Sequence, residues 1–206
     1  MRLAVFASGG GSNFQSIVDA AESGTLKAEV ILCVSNNPNA GVLDRAKRHE
    51  ISIRVLDPSR YVNEEEYATL LLASLKENKI DFIALAGYMK MIPAQIVREF
   101  SHRMVNIHPA LLPAFGGPGM YGSRVHQAVL EAGVAESGAT VHLVDEEYDS
   151  GPIVLKESVP VRADDTPESL AARVLKVEHA VYPRALSLFA DNRIRIDGRN
   201  VTILKP

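Results

Sequence analysis

Leu3-Ala4-Val5-Phe6-Ala7, then Ser8-Gly9-Gly10-Gly11-Ser12-Asn13, then Phe14-Gln15-Ser16-Ile17-Val18 is the stretch that decides the fold. An unbroken apolar run reads as a strand covered on both faces, and the glycines close a tight loop. Phe14, Ile17 and Val18 then share one face of a helix predicted over 13–22. Outward from this unit the pattern repeats. Strands are predicted at 3–7, 29–34, 53–56, 82–86 and 104–107, each apolar on both faces, with helices at 13–22, 41–48, 63–78, 93–100, 125–132 and 167–190. Such alternation builds right-handed βαβ units. The expectation is a doubly wound, Rossmann-like α/β domain with a mostly parallel sheet. Further strands at 139–144 and 153–161, and at 193–196 and 202–204 around the turn Asp197-Gly198, predict that the sheet gains antiparallel members late. Thr166 is expected to cap the last helix, and Val181-Tyr182-Pro183 to bend or interrupt it.

The chain has 206 residues, 47% hydrophobic and 23% charged, which suits one globular domain with a substantial core. We expect a single domain over 1–206, with 1–100 as a phosphate-binding half and 101–206 as a catalytic half. A net charge of -3 offers no basic field for a nucleic acid, so a bound phosphate must be gripped by aimed backbone donors. The lone Cys33 sits in the apolar run 30–34 and reads as a small buried hydrophobe in a reducing compartment. Neither a signal segment nor an apolar stretch of membrane-spanning length is visible, which points to the cytoplasm and away from a membrane.

Three stretches could carry chemistry. The glycine loop 8–13 lies between strand and helix, where free N–H groups favour an anion. It lacks the Gly-Lys-Ser/Thr ending of a triphosphate loop and the G-x-G-x-x-G dinucleotide spacing, so a monophosphate is expected; a turn that only caps the helix is the alternative. In Met104-Val105-Asn106-Ile107-His108-Pro109, strand alternation puts Asn106 and His108 on the same side, at the carboxyl end where open α/β sheets bind ligands. A lone histidine at a strand end reads as structural, but Asn106 beside it and prolines at both edges favour a functional pair. In the acidic loop 145–152, the turn Ser150-Gly151-Pro152 can aim Asp149 inward while Glu146 and Glu147 stay wet, and a carboxylate near His108 would raise the imidazole pKa. The other histidines show no metal-ligand spacing, so no metal is expected. Among them His142 reads as a buried, hydrogen-bonded residue, with a place near Asp149 as the alternative.

These residues resemble the glycinamide ribonucleotide formyltransferases over essentially the whole chain. The resemblance implies that Gly11, Ser12 and Asn13 hold the ribonucleotide phosphate and that Asn106, His108 and Asp149 are catalytic. It implies that Met89, Lys90, Met91 and Ile92, with Asn106, receive the folate, that Glu178 contacts the glycinamide, and that 1–100 is the phosphate- and ribonucleotide-binding half and 101–206 the catalytic and folate-binding half. The co-substrate is then 10-formyltetrahydrofolate, the acceptor is glycinamide ribonucleotide, the pathway is purine biosynthesis, and the protein is a monomer or homodimer. Two departures stand out. Glu64 occupies a position where relatives commonly carry an Arg for the folate tail, with Arg60 as a substitute, and the loop 115–122 is longer and richer in glycine than in many members. The rivals are a formyltetrahydrofolate hydrolase, expected to lack the phosphate loop and to carry an N-terminal regulatory domain, and methionyl-tRNA formyltransferase, expected to carry a C-terminal barrel. A non-catalytic nucleotide-binding module is the third.

Overall fold

A computed structural model describes residues 1–205. Its elements run β1 (Arg2–Phe6), α1 (Ser12–Glu22), β2 (Glu29–Ser35), α2 (Gly41–Arg48), β3 (Ser52–Val55), α3 (Glu64–Glu77), β4 (Phe82–Leu85), α4 (Ala94–Glu99) and β5 (Met104–His108). There follow α5 (Ser123–Glu131), β6 (Glu136–Leu143), β7 (Ile153–Pro160), α6 (Pro167–Ala190), β8 (Ile194–Asp197) and β9 (Asn200–Ile203). Two compact units divide inside β5, as Met1–Val105 and Asn106–Pro206.

In the first unit the strand order is β3-β2-β1-β4-β5. β1 is parallel to β2 and β4, and β2 to β3. Leu3, Ala4, Val5 and Phe6 are fully buried, as a central strand covered on both faces requires. α1 buries Phe14, Ile17 and Val18, as their spacing predicts; full burial of a side chain like Phe14 or Ile17 contributes roughly 1.5–3 kcal/mol. Asn63 lies outside α3 rather than within it, and its side chain accepts from the Glu66 amide at 2.9 Å. Glu64, Glu65 and Glu66 then sit against the positive end of the helix dipole. β3 departs from the expectation that every strand is apolar on both faces. It is the outermost strand, paired only with β2, and Ser52, Arg54 and Val55 are exposed.

In the second unit the order is β5-β6-β7, with β6 and β7 antiparallel. α6 packs on β6, β7 and α5. Its start is set by the expected cap: Thr166 Oγ1 accepts from Ser169 N at 3.2 Å while Ser169 Oγ accepts from Thr166 N at 2.9 Å. The expected interruption does not occur. α6 runs unbroken through Pro183, and burial of Val181, Tyr182, Pro183, Ala185 and Leu186 offsets the one amide that proline removes. The hairpin β8–β9 forms at the expected turn as a separate two-stranded antiparallel sheet, while β6 and β7 join the main sheet and pair antiparallel with each other. Cys33 is buried, and burial pushes its thiol up to about 12, in keeping with a packing role. Among the described residues no helix is long and apolar enough to cross a membrane.

Candidate active site

The glycine loop of the first unit is shaped by its own packing. Gly11 caps α1 with φ +75°, and a Cβ there would stand 2.7 Å from Cβ of Val42, so both conformation and space demand glycine. The carbonyl of Gly9 accepts from Val42 N at 3.0 Å and that of Gly10 from Arg45 Nε at 2.8 Å. Because each peptide is planar and trans, the amides of Gly10 and Gly11 point the opposite way, away from α2. No side chain caps α1. A Cβ at Gly9 or Gly10 would meet nothing within 4 Å, so the space beside them is open to a ligand. The loop lines a cavity of about 270 Å³ together with Ala86, Gly87 and Met89, close to the lower end of the ~300–1,000 Å³ usual for small-molecule sites. Ser8 ties the two walls: its Oγ accepts from Met89 N at 2.8 Å, and its amide donates to Gly87 O at 3.1 Å. Free amides at a positive helix end in a concave site form an anion cradle. Of the segment expected to receive folate, Met89, Lys90 and Met91 are exposed and Ile92 is buried; Glu64 is exposed at the start of α3, and Arg60 lies 3.8 Å from Asp57.

The second unit gathers Asn106, His108 and Asp149. Asn106 Nδ2 donates toward Asp149 Oδ1 at 3.5 Å, and His108 Nδ1 stands 3.5 Å from Asp149 Oδ2. The bend after His108 is held by buried Thr140, whose Oγ1 donates to Ala110 O at 2.6 Å and accepts from Leu112 N at 3.1 Å. Asp149 has φ +53°, a conformation costly for a non-glycine residue, and Ser150 secures the turn by donating to Asp145 Oδ1 at 2.7 Å. Arg199, in the β8–β9 turn, donates to the Ser150 carbonyl. Glu146 and Glu147 stay exposed, as the loop sequence predicts.

His142 belongs to the same cluster. A register shift between Val141 and His142 re-aims the strand there, which is how bulges turn side chains toward sites. Its Nδ1 must donate to the Leu143 carbonyl at 2.8 Å, because a carbonyl only accepts. Its Nε2 lies 3.1 Å from Asn106 Nδ2 and 3.5 Å from Asp149 Oδ1. Both readings of His142 thus hold together. Two further contacts come from the glycine-rich loop: the Phe115 carbonyl lies 2.7 Å from His108 Nε2, and Gly117 N donates to Asp149 Oδ2 at 2.9 Å. Neither was signalled by sequence, since both are backbone groups. Glu178 is buried within α6, rather than on the helix surface where its charge alone would place it.

Burial holds the His108 pKa below its ordinary 6.5, outweighing the upward pull of Asp149 and of the Phe115 carbonyl. The expected rise is therefore overturned in net direction, although Asp149 acts with the expected sign. For Asp149, burial pushes upward, but His142, His108 and the Gly117 amide together hold it below its ordinary 3.8. At neutral pH the pair is a neutral imidazole beside a carboxylate. Among the described residues no group of three or more His, Cys, Asp or Glu could hold a metal ion.

Comparison with known proteins matches residues 1–186 to the family model described as formyl transferase. Phosphoribosylglycinamide formyltransferase, chloroplastic, of Arabidopsis thaliana is 44% identical over 199 residues, covering 94% of this chain and 67% of that protein. The Escherichia coli (strain K12) phosphoribosylglycinamide formyltransferase is 37% identical over 196 residues, covering 95% of this chain and 90% of that one. The solved structure of glycinamide ribonucleotide transformylase 1 from Symbiobacterium toebii superposes with a TM-score of 0.94 at 38% identity, covering 100% of this chain and 94% of that one. A formyltetrahydrofolate deformylase from Pseudomonas syringae shares the fold at a TM-score of 0.88 and 25% identity, covering 99% of this chain and 66% of that one. The chain belongs to the formyl transferase family, and within it to the phosphoribosylglycinamide formyltransferases, which are folate-dependent enzymes.

Proposed function

We propose that this chain transfers the formyl group of 10-formyltetrahydrofolate to the amine of glycinamide ribonucleotide, a step of purine biosynthesis, by direct attack through a tetrahedral intermediate. The observation that carries the reading is the meeting of half-buried Asn106 and Asp149 with buried His108 in one cluster. Attack by an amine on a formyl carbon puts negative charge on oxygen, and a positioned amide donor stabilises it. Asn106 fills that role. His108, neutral at rest, takes a proton from the attacking nitrogen and returns it to the leaving folate nitrogen, while Asp149 stabilises the imidazolium in between. The place of Gly11, Ser12 and Asn13 in the cavity lining supports their assignment to the ribonucleotide phosphate, which anchors the amine for attack. In the same reading Glu178 contacts the glycinamide, and Met89, Lys90, Met91 and Ile92, with Asn106, take the folate.

The protein acts in the cytoplasm on small molecules, as a monomer or homodimer, without a nucleic acid or membrane partner; its charge of -3 supports the exclusion of nucleic acid. The reading is tested by supplying purified protein with 10-formyltetrahydrofolate, with and without glycinamide ribonucleotide. Formyl transfer that requires the ribonucleotide supports it. Formate release without the ribonucleotide would favour the deformylase reaction, and inertness under both conditions would favour a binding module.

A further inference from the structure

We propose that the backbone of residues 115–117 is a positioning element that fixes which nitrogen of His108 exchanges a proton: Phe115 keeps Nε2 protonated, and Nδ1, facing Asp149, does the exchanging. This assignment rests on the formyl-transfer reading. A carbonyl accepts only, so at 2.7 Å from Phe115 O the Nε2 atom must carry a hydrogen, and the lone pair of the neutral ring falls on Nδ1. Two residues further on, the Gly117 amide donates to Asp149 Oδ2, the oxygen that faces Nδ1 at 3.5 Å. One short stretch of main chain therefore holds both partners of the pair, and holds them by groups no side chain supplies.

The stretch can lie so close because residue 116 is glycine. A Cβ there would stand 2.5 Å from Leu112 Cδ2 and 3.1 Å from Asp149 Cβ. Leu112 gives little room, being buried, with its amide bonded to Thr140 and its carbonyl to Lys156. Phe115 at φ +57° and Gly117 at φ +95° turn their carbonyl and amide toward the two side chains. The loop is thus part of the reaction machinery rather than an inert connector.

The step balances as follows. The amine nitrogen bonds to the formyl carbon, whose π electrons move to oxygen. One N–H proton passes to Nδ1, making an imidazolium with Nε2–H still bound to Phe115. As the carbonyl reforms and the bond to the folate nitrogen breaks, the Nδ1 proton passes to that nitrogen. The titratable groups that face His108 are Asp149 from the 144–152 loop, His142 from β6 and His126 from α5.

The test reads the ring nitrogens directly by ¹⁵N-histidine NMR of the unliganded protein from about pH 5 to about pH 8, with His108→Asn used only to identify the resonances. The expected result is Nε2 protonated throughout while only Nδ1 changes state. A neutral ring protonated at Nδ1, or an even mixture of tautomers, overturns the proposal. In the second arm Gly116→Ala is expected to lower kcat about tenfold or more, with both KM values within about twofold, and to erode the Nε2–H signature. Unchanged kcat with an unchanged signature also overturns it. If the variant fails to fold, the unmodified protein still decides the matter. A wild-type protein inert in formyl transfer, yet showing the Nε2–H signature, would sink the reaction assignment and leave the tautomer assignment standing.

Discussion

Oδ2 of Asp149 faces Nδ1 of His108 across 3.5 Å, with the two side chains only 11% and 4% exposed. The distance is long for a hydrogen bond and suits a pair at rest, in which the imidazole is neutral and the attraction grows only when a proton arrives. Burial makes that attraction stronger than it would be in water.

Replacing Asp149 with Asn keeps an acceptor for the Gly117 amide but removes the charge that stabilises the imidazolium. We expect Asp149→Asn to lower kcat by about a hundredfold or more, with the fold intact by circular dichroism. An unchanged rate would remove Asp149 from the mechanism.

Ser12→Asp places a carboxylate in the first turn of α1, beside the open amides of the glycine loop. The helix itself tolerates a negative charge there, but a phosphate does not. The expected result is a raised KM for the ribonucleotide, about tenfold or more, with the KM for folate unchanged. Weakened folate binding alone would mean that the loop serves the other substrate.

Much of this was legible in sequence, for identifiable reasons. The β1 run and the helical spacing of Phe14, Ile17 and Val18 are local patterns, and they placed the first unit correctly. Asn106 and His108 share a strand, so alternation alone put them together, and Thr166 announced α6 by its capping chemistry. What stayed hidden depends on tertiary neighbours. β3 reads as covered until its edge position is seen, and Pro183 reads as a bend or an interruption, of which burial removes the interruption. Whether His108 gains or loses affinity for protons turns on how deeply it is buried, which no spacing reports. The contacts from Phe115 and Gly117 leave no side-chain signature at all.

Acid should destabilise the protein before its carboxylates titrate. Burial holds His108 and His126 below 6.5 in the folded state, so the unfolded chain binds more protons as pH falls through that value. Their stabilising contribution is present in full above about 6.5 and is lost toward the folded pKa values; Asp149, held below 3.8, adds a further loss at lower pH. The urea midpoint should drop from about pH 7.5 to about pH 5, and less steeply in His126→Gln. A flat or rising midpoint contradicts this.

Thr166→Ala removes the reciprocal cap at the start of α6. The expected loss is about 1 kcal/mol, read as a melting shift of roughly 2–4 °C for a chain of this size. Turnover should not change. A loss of turnover at full stability would give Thr166 a role the cap does not explain.

The central claim is that His108 and Asp149 work as one device on the same proton. A kinetic cycle of His108→Ala, Asp149→Ala and the double variant in ribonucleotide-dependent formyl transfer tests it most directly. The account predicts that Asp149→Ala, severe in the wild-type background, costs little once His108 is gone. Equal losses in both backgrounds, so that the two defects multiply, would contradict it.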